Sequence, residues 1–149
     1  MKDKLRRLDP LLRRAEQQTQ QVAREYAAKT RALANQEAQL NELQRYSDEY
    51  ARWPGGGSSL SPAQIANREA FRARIDVAIK QQKQVVESSR MSAEFERVRL
   101  VMARRDGKVI ETLAENYRVE IQRIEQTHEQ KALDEHASII HQRRNPAES

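Results

Sequence analysis

Few residues of this chain could do chemistry, and their spacing argues against it. The three histidines are His128, His136 and His141. Steps of eight and five do not give the i, i+4 repeat that sets two imidazoles on one helix face for a metal ion. There is no cysteine and no His-Glu-x-x-His. The histidines therefore read as solvated, and no metal and no cofactor is expected. Gly55-Gly56-Gly57 is the sole glycine cluster, but no strand precedes it and no lysine follows as in a phosphate-binding loop. It reads as a linker. Carboxylates are plentiful, but they lie on solvated helical faces. No catalytic residue is expected, and the chain is read as a non-enzyme.

Two groups of residues suit recognition instead. Basic pairs occur at Arg6-Arg7, Arg13-Arg14, Arg104-Arg105 with Lys108, and Arg143-Arg144. They could meet nucleic acid, meet an acidic protein surface, or be merely solvated; no aromatic platform or recognition motif supports nucleic acid. The second group is apolar and aromatic. Gln39, Leu43, Tyr46 and Tyr50 step by four, three and four, and Phe71, Ile75, Ala78 and Gln82 repeat that spacing. Either these eight residues leave aromatic area exposed as a binding hot spot, or they simply close a helix–helix seam.

The elements that position them follow from one interruption. Pro54 disfavours helix at Trp53, and three glycines and two serines follow. Ser61 then reads as an N-cap, Pro62 as the first helical residue and Gln64 as the capping-box partner. On either side the apolar residues recur every 3.5 positions, as in a left-handed coiled coil. Before the loop the step visits Leu5, Leu8, Leu12, Ala15, Thr19, Val22, Tyr26, Lys29, Leu33, Gln36, Leu40, Leu43, Ser47 and Tyr50. After it the step visits Ile65, Arg68, Arg72, Ile75, Ile79, Gln82, Val86, Ser89, Ala93, Glu96, Leu100, Ala103, Gly107, Ile110, Ala114, Tyr117, Ile121 and Ile124. Phe71, Ala78, Val85, Phe95, Val98, Met102, Val109 and Leu113 are expected to widen this second stripe.

The expected fold is all-α: two long helices in an antiparallel coiled-coil hairpin, forming one domain over residues 1–149. The helices should run from about 10 to 53 and from about 62 to 143, with a loop at 54–61 and a disordered tail at about 144–149. Leu5 and Leu8 are in phase, so the first helix could begin earlier, with Pro10 in its opening turns. Asp106-Gly107 is either a turn, which would give three helices, or a glycine tolerated within a helix. The unbroken heptad phase favours the second.

At ~1.5 Å per residue the two helices would be roughly 65 Å and 120 Å long, so the second overhangs the first. Folded at the loop, Gln39 faces Gln82, Leu43 faces Ala78, Tyr46 faces Ile75 and Tyr50 faces Phe71. Pro10 falls opposite Gly107 to Glu111. Beyond that point Ile110, Leu113, Tyr117, Ile121 and Ile124 have only the short arm with Leu5 and Leu8 as a partner within the chain. The stripe either docks on another chain or is a frayed, self-associating end. The same pairing gathers Arg13, Arg14, Arg104, Arg105 and Lys108 at this open end.

Composition agrees with a seam rather than a globular core. Charged residues are 33%, aromatics 5% and mean hydropathy −0.95. The periodicity argues against disorder, the usual reading of such polarity. No window approaches the ~18 apolar residues of a membrane span, and the basic N-terminus lacks an apolar signal core. A cytoplasmic location, in solution or on a membrane surface, is expected. The net charge of +5 permits an acidic partner but does not demand one.

The loop-flanking strips carry a family resemblance. Leu43-x-x-Tyr46-x-x-x-Tyr50-Ala51-Arg52 and Asn67-x-x-x-Phe71-x-x-x-Ile75-Asp76-x-Ala78-Ile79-x-Gln81-Gln82 resemble the flagellar export protein FliJ family. Glu129-Gln130-Lys131-Ala132-Leu133-Asp134-Glu135-His136-Ala137 is similar to that family's Gln-Lys-x-x-Asp-Glu stretch. The resemblance implies a small antiparallel coiled coil like the stalk of rotary ATPases, acting in flagellar type III export and needed for flagellum assembly. It implies docking into the hexameric export ATPase ring, contact with the cytoplasmic domain of the export-gate membrane protein, and handling of export chaperones. The implied location is cytoplasmic, peripheral to the inner membrane at the flagellar base. Carried over by position, the gate-binding patch is Gln39, Leu43, Tyr46, Tyr50, Phe71, Ile75, Ala78 and Gln82; Ile75 and Gln82 depart from the family's leucine and histidine. By geometry, Arg13, Arg14, Arg104, Arg105, Lys108, Ile110, Leu113, Tyr117, Ile121 and Ile124 would face the ATPase ring. The rivals are a homodimeric coiled-coil scaffold without an ATPase partner and a basic nucleic-acid-binding hairpin.

Overall fold

In the computed structural model, residues 1–52 and 60–144 are described. They form two helices, α1 (Lys2–Arg52) and α2 (Pro62–Arg144), with no strand among them. This is a helical hairpin with a longer second helix. The glycine cluster with Trp53 and Pro54 and the tail beyond Arg144 lie outside the described residues. At the start of α2, Ser61 N–H donates to Gln64 Oε1 at 3.0 Å and Gln64 N–H donates to Ser61 Oγ at 3.2 Å. This reciprocal pair satisfies two otherwise orphaned donors, and Pro62 needs none.

The other helix start differs from the expected one. α1 begins at Lys2, not near residue 10, and carries Pro10 inside it. A proline there removes one backbone hydrogen bond and crowds the preceding turn. Burial of Leu8, only 8% exposed, offsets part of that cost. Gly107 lies inside α2, so Asp106-Gly107 makes no turn.

The chain divides into two compact units, each holding one stretch of α1 and one of α2. Residues Gln20–Met102 form one of them. Its seam buries Val22, Ile75, Val86, Ala93 and Leu100, all on the 3.5-residue step. Two polar layers interrupt it. Gln82 Nε2 donates to Gln36 O at 2.9 Å and to Gln36 Oε1 at 2.8 Å. Farther along, Glu96 is buried, and Arg99 Nη1 reaches both its Oε2 at 2.9 Å and Glu25 Oε2 at 2.8 Å. The hydrogen bond to Glu25, then the Glu96 charge, raise the Arg99 pKa above its ordinary value. The guanidinium is thus charged at any working pH and neutralises a seam carboxylate.

The other unit joins Met1–Thr19 to α2 from Ala103 onward. Leu8 and Ala114 are buried in it. A Cβ built on Gly107 would lie 3.9 Å from the Ala15 Cβ and 4.0 Å from Thr19 Oγ1. Toward the start of α1, Lys2 Nζ lies 3.2 Å from Glu125 Oε1. The helices run antiparallel in both units, as these pairs require.

One expected feature is overturned. Val85, Phe95, Val98, Met102, Val109 and Leu113 do not widen the seam; all are exposed. A single partner helix covers only the residues on the 3.5-residue step and their close flanks. Phe95, Val98, Met102 and Val109 lie on the far side of α2. Phe71 and Ala78 are half-buried.

Candidate functional site: an aromatic cluster and a basic end

The strongest candidate site lies in the Gln20–Met102 unit, on the turns of α1 and α2 nearest the loop. Three rings meet there. Phe71 packs against Tyr50 with centroids 4.8 Å apart and planes tilted by 59°. It also meets Tyr46 edge-on at 6.2 Å and 72°. Such offset and edge-to-face contacts match the aromatic quadrupole. The Arg68 guanidinium carbon lies 5.6 Å from the centre of the Tyr50 ring, a cation–π distance. Tyr46 remains 53% exposed, so part of a pre-positioned aromatic surface faces solvent.

The eight patch residues divide by exposure. Gln39 and Tyr46 face solvent. Leu43, Tyr50, Phe71, Ala78 and Gln82 are half-buried, whereas Ile75 is buried. Ile75 is therefore a seam residue rather than accessible surface. The Gln82 amide is engaged by Gln36. Accessible patch area is concentrated on Tyr46 and Gln39, with the partly covered rings of Tyr50 and Phe71 beside them. Arg68 was not singled out from the sequence. Its signal was an arginine on the heptad step where an apolar residue was expected.

The second group lies in the other unit. Arg13, Arg14, Arg104, Arg105 and Lys108 are all exposed. Lys108 lies 3.9 Å from Glu111. No ion pair is formed by Arg13, Arg14, Arg104 or Arg105 among the described residues. The approach of Ala15 and Gly107 brings the turns bearing these cations near one another. Ile110, Tyr117 and Ile121 are half-buried and Ala114 fully buried. This stripe is therefore covered by the start of α1 rather than left bare beyond Gly107, because α1 starts at Lys2 and reaches Glu125. Leu113 and Ile124 stay exposed, and α2 is exposed throughout residues 122–144.

Nothing in either group resembles a reaction centre. Among the described residues no three histidines or carboxylates gather where a metal ion could bind, and His128, His136 and His141 are exposed. No helix is long and apolar enough to cross a membrane among the described residues.

Residues 3–146 match the protein family described as Flagellar FliJ protein. No curated protein and no solved structure matches this chain.

Proposed function

The chain belongs to the flagellar FliJ family, and from that premise we propose that it is a stalk-like coupling protein linking the export ATPase ring to the export gate. Family membership makes it a component of the flagellar export apparatus, associated with the export machinery. The observation that carries the proposal is the Tyr46–Phe71–Tyr50 cluster: Phe71 packed against both tyrosines, with Tyr46 turned to solvent. Packed, partly exposed aromatics are what a binding hot spot needs, since little side-chain freedom is lost on docking.

In this reading Gln39, Tyr46, Tyr50 and Phe71 bind the cytoplasmic domain of the export-gate membrane protein. Leu43, Ala78 and Gln82 border that surface, and Ile75 belongs to the seam. The cations Arg13, Arg14, Arg104, Arg105 and Lys108, with Leu113 and Ile124, face the hexameric ATPase. Ile110, Tyr117 and Ile121 shape that end from within. The protein catalyses nothing itself, handles export chaperones, and works at the cytoplasmic face of the inner membrane.

Titration of the purified chain against the gate's cytoplasmic domain tests the gate half. Tyr46→Ala should weaken binding at least tenfold with helicity unchanged; unaltered affinity removes the patch from the gate contact. Adding the chain to its cognate export ATPase tests the other half. Ring formation and faster hydrolysis are expected at micromolar concentration, and no response discards the stalk role.

A further inference from the structure

The aromatic patch continues around α2 beyond Phe71 and Ala78. Arg74 lies three residues after Phe71 and four before Ala78, the spacing that makes neighbours on a helix surface. Val77, three residues after Arg74, is 54% exposed. With Ala73, Ala78 and Gln81, these two side chains line an open depression of about 290 Å³. Ala78 belongs both to this depression and to the patch. All of these residues lie in the Gln20–Met102 unit.

The charges on the two helices beside the patch differ in one respect. On α1 the carboxylates are engaged: Arg45 Nη2 lies 2.8 Å from Glu42 Oε1, and its Nε lies 3.9 Å from Glu49 Oε1. On α2, Arg74 has no such counter-charge. It is exposed and forms no ion pair among the described residues. The positions three and four residues to either side of it are Ala70, Phe71, Val77 and Ala78, none of them acidic. A solvated arginine needs no explanation by itself. Arg74 is set apart by its place, between the central ring of the patch and a depression walled by Val77 and two alanines. A cation with apolar neighbours suits an anion that brings an apolar group of its own.

Resting on the gate reading of the Tyr46–Phe71–Tyr50 cluster, we propose that Arg74 and Val77 belong to the same docking surface and set the chemistry of what it accepts. The occupant is a segment of the gate's cytoplasmic domain that carries a carboxylate beside an apolar side chain. The apolar side chain fills the depression against Val77 and Ala78. The carboxylate meets the Arg74 guanidinium, whose planar fork can hold both oxygens. The rings supply most of the affinity in this arrangement, and Arg74 supplies orientation and choice of partner.

The test is calorimetric titration of the full chain with the gate's cytoplasmic domain. Arg74→Glu and Val77→Asp should each weaken binding about tenfold or more, because either sets a carboxylate against the partner's own. Arg74→Gln should flatten the dependence of affinity on salt, which the unsubstituted chain should show. Both positions are exposed, so helicity and melting temperature should stay as they are. Unchanged affinity in Arg74→Glu or Val77→Asp, while Tyr46→Ala still weakens binding, overturns this inference and leaves the gate reading standing. Salt dependence that survives Arg74→Gln overturns the carboxylate partner. Absence of binding by the unsubstituted chain removes the gate reading and this inference with it.

Discussion

Tyr50 near the end of α1 and Phe71 near the start of α2 stack obliquely, their ring centroids 4.8 Å apart. Phe71 also meets Tyr46, one helical turn back along α1. One phenyl ring thus links the two tyrosines and fastens α1 to α2 beside the loop. A double-mutant cycle on Tyr50→Leu and Phe71→Leu should give a coupling of about 0.5–1.5 kcal/mol in urea unfolding. A coupling near zero would mean that the rings are neighbours without mutual stabilisation.

Exposure separates binding from folding within the same patch. Ile75→Ala should cost about 2–4 kcal/mol, since it opens a cavity in the seam. Tyr46→Ala should change stability by less than about 0.5 kcal/mol. Gate affinity should respond in the opposite order once both variants are compared well below their melting temperatures. Equal effects of both on stability would place Tyr46 in the seam.

The Gln36–Gln82 layer should show the asymmetry of partly buried polar pairs. Gln82→Leu alone leaves the Gln36 amide without its partner and should destabilise by about 1–2 kcal/mol. The double change Gln36→Leu with Gln82→Leu should recover that loss or exceed wild-type stability, because an apolar pair suits the seam. Chemical denaturation of the three variants decides; a double variant no better than the single one would contradict the hydrogen-bonded layer.

Arg99 should matter far more than the surface arginines. Its removal leaves the buried Glu96 carboxylate without a cation, so Arg99→Ala should destabilise the hairpin clearly at neutral pH. Arg90 pairs with Glu37 and Glu87 at exposed positions, and Arg90→Ala should cost less than about 1 kcal/mol. Chemical denaturation of the two variants checks this. An Arg99→Ala variant no less stable than Arg90→Ala would contradict a seam carboxylate that depends on its cation.

Gly107 offers a stabilising change. A methyl group there would meet Ala15 and Thr19 at ordinary contact distance. Gly107→Ala should raise stability by about 0.5–1 kcal/mol through helix propensity. Thermal unfolding followed by circular dichroism tests it, and a lower melting temperature would mean that the close approach requires glycine.

Much of this protein was legible because a coiled coil writes its contacts into a short repeat. The 3.5-residue step selected Leu8, Val22, Ile75, Val86, Ala93, Leu100 and Ala114, every buried apolar residue among the described ones. Ser61, Pro62 and Gln64 determined where α2 begins, since capping is a local matter of backbone donors. The aromatic strips beside the loop were legible from the same step combined with antiparallel pairing. Tertiary structure decided what depends on contacts between helices. Whether α1 continues through Pro10 turns on the burial of Leu8, which no local propensity contains. That choice settles whether Ile110, Tyr117 and Ile121 are bare or covered. Glu96 could be placed on the seam from its position alone, but its link through Arg99 to Glu25 exists only at the observed register. Phe95, Val98 and Met102 are apolar enough to widen the stripe, yet one partner helix leaves them exposed. Spacing along one helix states which residues share a face; only the second helix determines which face is buried.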